Sequence, residues 1–382
     1  MKPAIDLGFI ALTDAAPLIA AKARGEFDAE GLDVTLHREV SWATIRDKLA
    51  AGVHQGAHML APLAIATTLG VGSEPAALSV PMSLNSGGAS LGVSAQLAIE
   101  MGEVTPQGLA NAVAARRAAG KPAISFAVVF PYSMHNYMLR FWAASAGVDP
   151  GADIRITVAP PTAIAMRLRS GEIDGFCVGA PWSLVCQTDA GAHIALESSS
   201  FWSCAPDKVL ALSALWTDRE PQQALALVRA IARAARWADD PANHPELAAL
   251  LCRREWLDAP RDLVAQSLGQ IRFARHAALH PWRSHAAWIA SQMLRWGQID
   301  ASKLPAVAAC YRPDLFRAAA GDAGLEAPRD DFKVEGAHAD WWSVPSARGQ
   351  IRMPPDSILG GEAFDSENLL AYAASFAVTR AS

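Results

Sequence analysis

The chain has 382 residues, 51% of them hydrophobic and 19% charged, and its 33 basic and 38 acidic side chains leave a formal net charge of -5. That balance excludes a disordered chain, a collagen and a disulfide-stapled miniature, and at about 100–200 residues per domain it suggests two or three domains. With no Lys/Arg run, the chain lacks the clustered basic face that nucleic-acid binding needs.

In chain order, Met1-Lys2-Pro3 leads at once into apolar residues 4–10, read as a first strand. No basic n-region, apolar stretch and small-residue cleavage site precede it, so the expectation is a cytoplasmic protein. Five cysteines (Cys177, Cys186, Cys204, Cys252, Cys310) agree, being odd in number and without a CxxC pair. Thr13-Asp14 reads as a helix N-cap, with Pro17 in the first turn and Gly25 as the stop. Residues 32–37 alternate as a strand does, and Ser41 caps a helix running from Trp42 towards Ala51. Residues 49–73 carry no charge, but Gly52, Gly56, Pro62, Gly70 and Gly72 break them into short elements of a soluble core rather than a membrane span.

Residues 77–93 are Ser/Asn/Gly-rich and extended, as expected of a strand that leaves one lobe for another. Buried strands follow at 123–130, 154–158 and 175–178, with helices from Ser133 through Trp142 and over 162–169. This alternation predicts an α/β fold. From Gln222 helical patterns dominate through Ala320, and the last 55 residues are loop-rich until a final helix over 366–376.

Gly88-Ala89-Ser90-Leu91-Gly92 matches the GxSxG nucleophile elbow, but the residues after Ser90 read as extended, which leaves no sharp turn and no hydrolase. His276 and His280 are spaced i, i+4 beside Arg275 and Arg283, which suits a solvated helix face better than a metal site. More telling are helix starts carrying polar groups at Ser41-Trp42, Ser133-Met134-His135, Pro161-Thr162 and Pro181-Trp182. Such ends attract anions, and in α/β sheets they cluster where ligands bind. Pattern alone reads Lys208 as a surface side chain paired with Asp207.

Residues 7–18 (LGFIALTDAAPL), 41–49 (SWATIRDKL), 56–62 (GAHMLAP), Phe130-Pro131 with His135, and 176–182 (FCVGAPW) resemble the nitrate- and bicarbonate-binding NrtA/CmpA family of type II solute-binding proteins. The resemblance runs from about residue 5 to 260. It implies a type II periplasmic-binding-protein-like fold, with two lobes joined by a hinge and a mostly helical C-terminal extension. The implied boundaries are 1–90 plus 205–382 for the first lobe and 91–204 for the second. It further implies a planar oxyanion held between the lobes by Trp42, His135, Gly179 and Lys208, with no metal, cofactor or catalytic set. A family Gln is replaced near Gly87, where backbone N–H groups or Ser86 and Ser90 would substitute. An acidic residue often found between Gly179 and Pro181 is Ala180 here, which favours nitrate or nitrite over bicarbonate. Without a leader, the chain looks like the cytoplasmic NasS sensors. Those hold a NasT-like ANTAR antiterminator when ligand-free and release it on nitrate or nitrite, with no membrane and no direct nucleic-acid contact. The alternative is the substrate-binding protein of a nitrate or bicarbonate ABC transporter with its leader removed.

Overall fold

The structure is a computed structural model describing residues 2–379. Its strands, in chain order, are β1 (Ala4–Phe9), β2 (Asp33–Arg38), β3 (Gly56–Leu60), β4 (Leu78–Ser83), β5 (Ser86–Gly87), β6 (Ala89–Val93), β7 (Ile124–Val128), β8 (Ile154–Val158), β9 (Gly175–Gly179), β10 (His193–Glu197), β11 (Lys208–Ser213), β12 (Ile271–Arg272), β13 (Trp342–Pro345) and β14 (Gln350–Met353). Two five-stranded sheets form, in the orders β2-β1-β3-β11-β4 and β10-β6-β9-β7-β8. In each, parallel strands are joined through helices; the inner strands β3, β7 and β9 are buried throughout, whereas the edge strands β2 and β8 are half exposed. This is the α/β two-lobed architecture expected from the sequence.

The extended segment predicted to change lobes does so. β4 ends in the first sheet and β6 begins the second only six residues later, while the return runs from β10 to β11. Later parts of the chain tie down both crossings. β12 pairs with β5 through Ile271↔Gly87 and Arg272↔Ser86, Ser86 bridges to Pro206, and Trp202 bridges to Ile358. The Trp202 indole N–H also donates to Asp356 Oδ1 at 3.0 Å.

Beyond β11 come the helices Pro221–Ala238, His244–Leu251, Arg261–Leu268, Arg283–Arg295, Leu304–Ala309 and Pro313–Ala320, then the β13–β14 hairpin and a last helix Leu369–Ala374. The 18-residue helix packs Ala224, Leu227, Val228, Ile231 and Ala235 inward, the i, i+3, i+4 stripe of a core-facing helix. Two readings change here. His276 and His280 are not on a helix: His276 sits in a turn with φ 58, and His280 is fully buried, edge-on to Trp282 and Phe316. The Arg/His spacing imitates a solvated helix face, but the neighbouring apolar Leu279 and Trp282 draw the segment into the core. Thr13-Asp14 is not the helix cap either. These residues form a 3-10 turn, Thr13–Ala15, and the helix starts at Ala16. Among the described residues no helix is long and apolar enough to cross a membrane, and all five cysteines are free thiols.

Candidate anion-binding site

Parallel strands in both sheets deliver polar residues to one place between the lobes. In the first sheet β1 runs out into the turn carrying Asp14, and Ser41 starts the helix Trp42–Ala50, its hydroxyl accepting from the Thr44 N–H. In the second, Ser133 caps the helix Met134–Ala144 in the same way, and β9 ends at Gly179. β11 pairs with β3 through Lys208↔Leu60 and Leu210↔His58, so Lys208 and His58 are diagonal neighbours on one face. Backbone contacts close the lobes over this point: the Thr13 N–H donates to Ala180 O at 2.9 Å and the Trp182 indole to Ala11 O at 2.7 Å.

Lys208 is the centre of the cluster. Its ammonium donates to Asp207 Oδ2 at 2.6 Å and Asp14 Oδ2 at 2.9 Å, with the Trp42 ring centroid 5.7 Å away. His58 Nε2 meets the other Asp14 oxygen at 2.8 Å and its ring packs against Trp42, while His135 Nε2 stands 3.8 Å from Asp207 Oδ2. All six side chains are buried. Burial alone would raise the Asp14 carboxyl, but Lys208 and His58 outweigh it and hold it well below the carboxylate range. Burial likewise opposes the Lys208 ammonium, and the two carboxylates overcome it, so this Lys stays charged. His135 is driven down to about 4, chiefly by burial and further by Lys208, against the pull of Asp207 and Asp14. Its ring is neutral near pH 7.

Several buried polar atoms here have no protein partner: Trp42 Nε1, both His135 ring nitrogens, His58 Nδ1 and Asp207 Oδ1. Buried polar groups are normally satisfied, so the open indole N–H of Trp42 and the one imidazole N–H of neutral His135, in a cluster with one ammonium, describe a place that suits an acceptor-rich guest. Gly179 leaves the room. A Cβ there would stand 3.2 Å from Leu12 Cδ2 and 3.6 Å from both Asp14 Oδ2 and His135 Nε2.

The structure thus brings Trp42, His135, Gly179 and Lys208 together. Gly87 lies at the margin, lining a small void with Ala89, Met134, Pro206 and Asp207. Ala89 is the residue directly across from Gly179 in the sheet. Ser90 is in mid-strand with its hydroxyl donating to Glu197 at 2.8 Å, so GxSxG forms no elbow here. The Ser86 hydroxyl meets Arg272 at 3.5 Å. Asp14, His58 and Asp207 were not singled out from sequence. Asp14 imitates a cap, His58 hides in an apolar strand, and Asp207 reads as a surface counter-ion. Their carboxylates also remove the basis of the inference from Ala180, because two acceptors reach the site from other elements.

Comparison with known proteins agrees with this fold. The model of the NMT1-like family matches residues 1–252. The chain is 32% identical to the nitrate/nitrite binding protein NrtA of Synechocystis over 96% of its own length and 83% of that protein. It is 29% identical to the bicarbonate-binding protein CmpA of a Synechococcus strain, over 85% and 79% of the two chains. The crystal structure of periplasmic NrtA from Synechocystis superposes with a TM-score of 0.82 at 28% identity, covering 98% of each chain.

Proposed function

From the premise that this chain belongs to the NMT1-like family and is homologous to the NrtA/CmpA solute-binding proteins, we propose that it binds nitrate or nitrite between its lobes and acts as a sensor. In this reading the ligand-free form sequesters a NasT-like antiterminator and the anion releases it. One observation supports the ligand: the buried cluster around the Lys208 ammonium leaves N–H groups on Trp42 and His135 without a partner. Nitrate accepts hydrogen bonds and donates none, so these donors and an aromatic wall suit it.

The cluster holds two carboxylates and one ammonium before any ligand arrives. An incoming anion therefore favours protonation of His135, and binding takes up a proton. The sensing arm rests on linkage. If the partner prefers the open lobes and the anion the closed ones, each weakens the other by about 5–150-fold for a typical coupling of about 1–3 kcal/mol. A second reading, delivery to an ABC importer, is supported by relatives named as NrtA binding proteins. Asp207 Oδ1, an acceptor without a donor, supports hydrogencarbonate within that reading.

Calorimetric titration with nitrate, nitrite and hydrogencarbonate decides the ligand, and tight binding of hydrogencarbonate alone would overturn the nitrate assignment. Mixing with an ANTAR antiterminator decides the output. A complex that dissolves on adding nitrate supports sensing, whereas no complex without ligand supports import.

A further inference from the structure

A second cavity lies beside the two crossings between the sheets and has Asn85 on its wall. Its volume is about 20 Å³, room for about one small inorganic ion. Its wall carries Arg272, Arg275, His285 and Lys333 and no Asp or Glu. Asp239 binds Arg275, and Glu335 and Asp356 bind Lys333, but none of these three carboxylates lines the cavity. The Arg272 guanidinium has one contact among the described residues, the Ser86 hydroxyl at 3.5 Å. The His285 side chain is 8% exposed, and both ring nitrogens lack a hydrogen bond, although Nε2 stands 3.5 Å from Glu335 Oε1. Water in a cavity needs donors and acceptors in balance, and on this wall Arg275 and Lys333 already have carboxylate partners while Arg272 has none among the described residues and stands with the unbonded His285 ring.

We propose that this cavity is a second anion site, distinct from the Lys208 cluster, in which Arg272, Lys333 and His285 hold a small inorganic anion such as chloride or nitrate. Its position gives it a consequence. Ser86 comes from the first crossing and Cys204 and Pro206 from the second, while Lys333 comes from the C-terminal extension. Asn85, also on the wall, accepts the Lys208 backbone N–H at 3.1 Å through its side-chain oxygen. An occupant therefore touches the segments that any rotation of one lobe on the other must bend, and stiffens them.

Chloride-35 line broadening on the full chain tests the site, with Lys208→Ala to disable the primary cluster. Broadening should persist in Lys208→Ala, weaken at least about tenfold in apparent affinity in Arg272→Gln, and return in Arg272→Lys. Adding nitrate to Lys208→Ala separates the two sources, since displacement of chloride assigns both to one cavity. Bromide-soaked crystals should show an anomalous peak between Arg272 and His285. A water there in saturating bromide, or broadening indifferent to Arg272→Gln, overturns the proposal. Either failure leaves binding at Lys208 unaffected, so the two sites stand or fall separately.

Discussion

Lys208→Met is the sharpest perturbation of the site, because one ammonium serves two carboxylates at 2.6 and 2.9 Å in a wholly buried position. Removing one partner of a buried ion pair costs about 3–5 kcal/mol, since the remaining charge is stranded. His58 still bonds Asp14 in the variant and softens the loss, which places the expectation at about 3 kcal/mol. Adding Asp14→Asn removes one stranded charge, so the double variant should be less damaged than the sum by at least about 1 kcal/mol. The deficit should also shrink on acidification, because the stranded carboxyls take up protons above their ordinary pKa. Nitrate binding should weaken by about 10–150-fold, the value of one hydrogen bond to a charged group. Urea unfolding with a common m value measures the first quantity and calorimetric titration the second. A variant that unfolds within about 0.5 kcal/mol of the parent would refute the stability reasoning, and unchanged nitrate affinity would refute the site.

Three further outcomes follow from the same geometry. Gly179→Ala introduces a methyl 3.6 Å from His135 Nε2 without backbone strain, with Leu12 Cδ2 at 3.2 Å giving way by a few tenths of an ångström, so it should weaken nitrate by about tenfold or more in a protein that still unfolds cooperatively; full affinity would mean the anion sits elsewhere. His135 is neutral above about 4 in the free protein and a bound anion favours its protonation, so affinity should rise as pH falls, by up to about tenfold per unit, until pH reaches that value. Titrations across this range on the parent and on His135→Gln check it, and equal slopes would remove His135 from the linkage. Burial also holds His280 at about 3, with Arg317 adding to it. Below 6.5 the unfolded chain binds protons that folded His135 and His280 refuse, so stability should fall on acidification by about 1.4 kcal/mol per unit for each ring. His280→Gln should flatten that fall, and an unchanged slope between parent and variant would be the contrary result.

Much of the architecture was legible because strands 4–10 and 123–130 bury apolar runs and strands 32–37 and 154–158 alternate apolar with polar residues, as the backbone's period of two dictates. Trp42 and His135 stood out as helix starts, whereas Gly179 and Lys208 were pointed to only by resemblance, since nothing local distinguishes a buried Lys from an exposed one. Asp14, His58 and Asp207 escaped for the same reason. A carboxylate can be buried only where partners arrive from other strands, and here they come from positions 44 and 194 residues away. His280 escaped because an i, i+4 spacing describes a helix only if one forms, and tertiary packing decides that.

The order of the first sheet has a bearing on how the chain is made. β11 lies between β3 and β4, so neither can complete its pairing until Lys208–Ser213 leaves the ribosome. The whole second sheet, from β6 to β10, is encoded in between. At roughly 5–20 residues per second that interval lasts about 6–26 s, during which two apolar strand edges wait for one partner. The strand that ends the wait also brings the ammonium, so a nascent chain acquires its anion site in the same step that seals its first lobe.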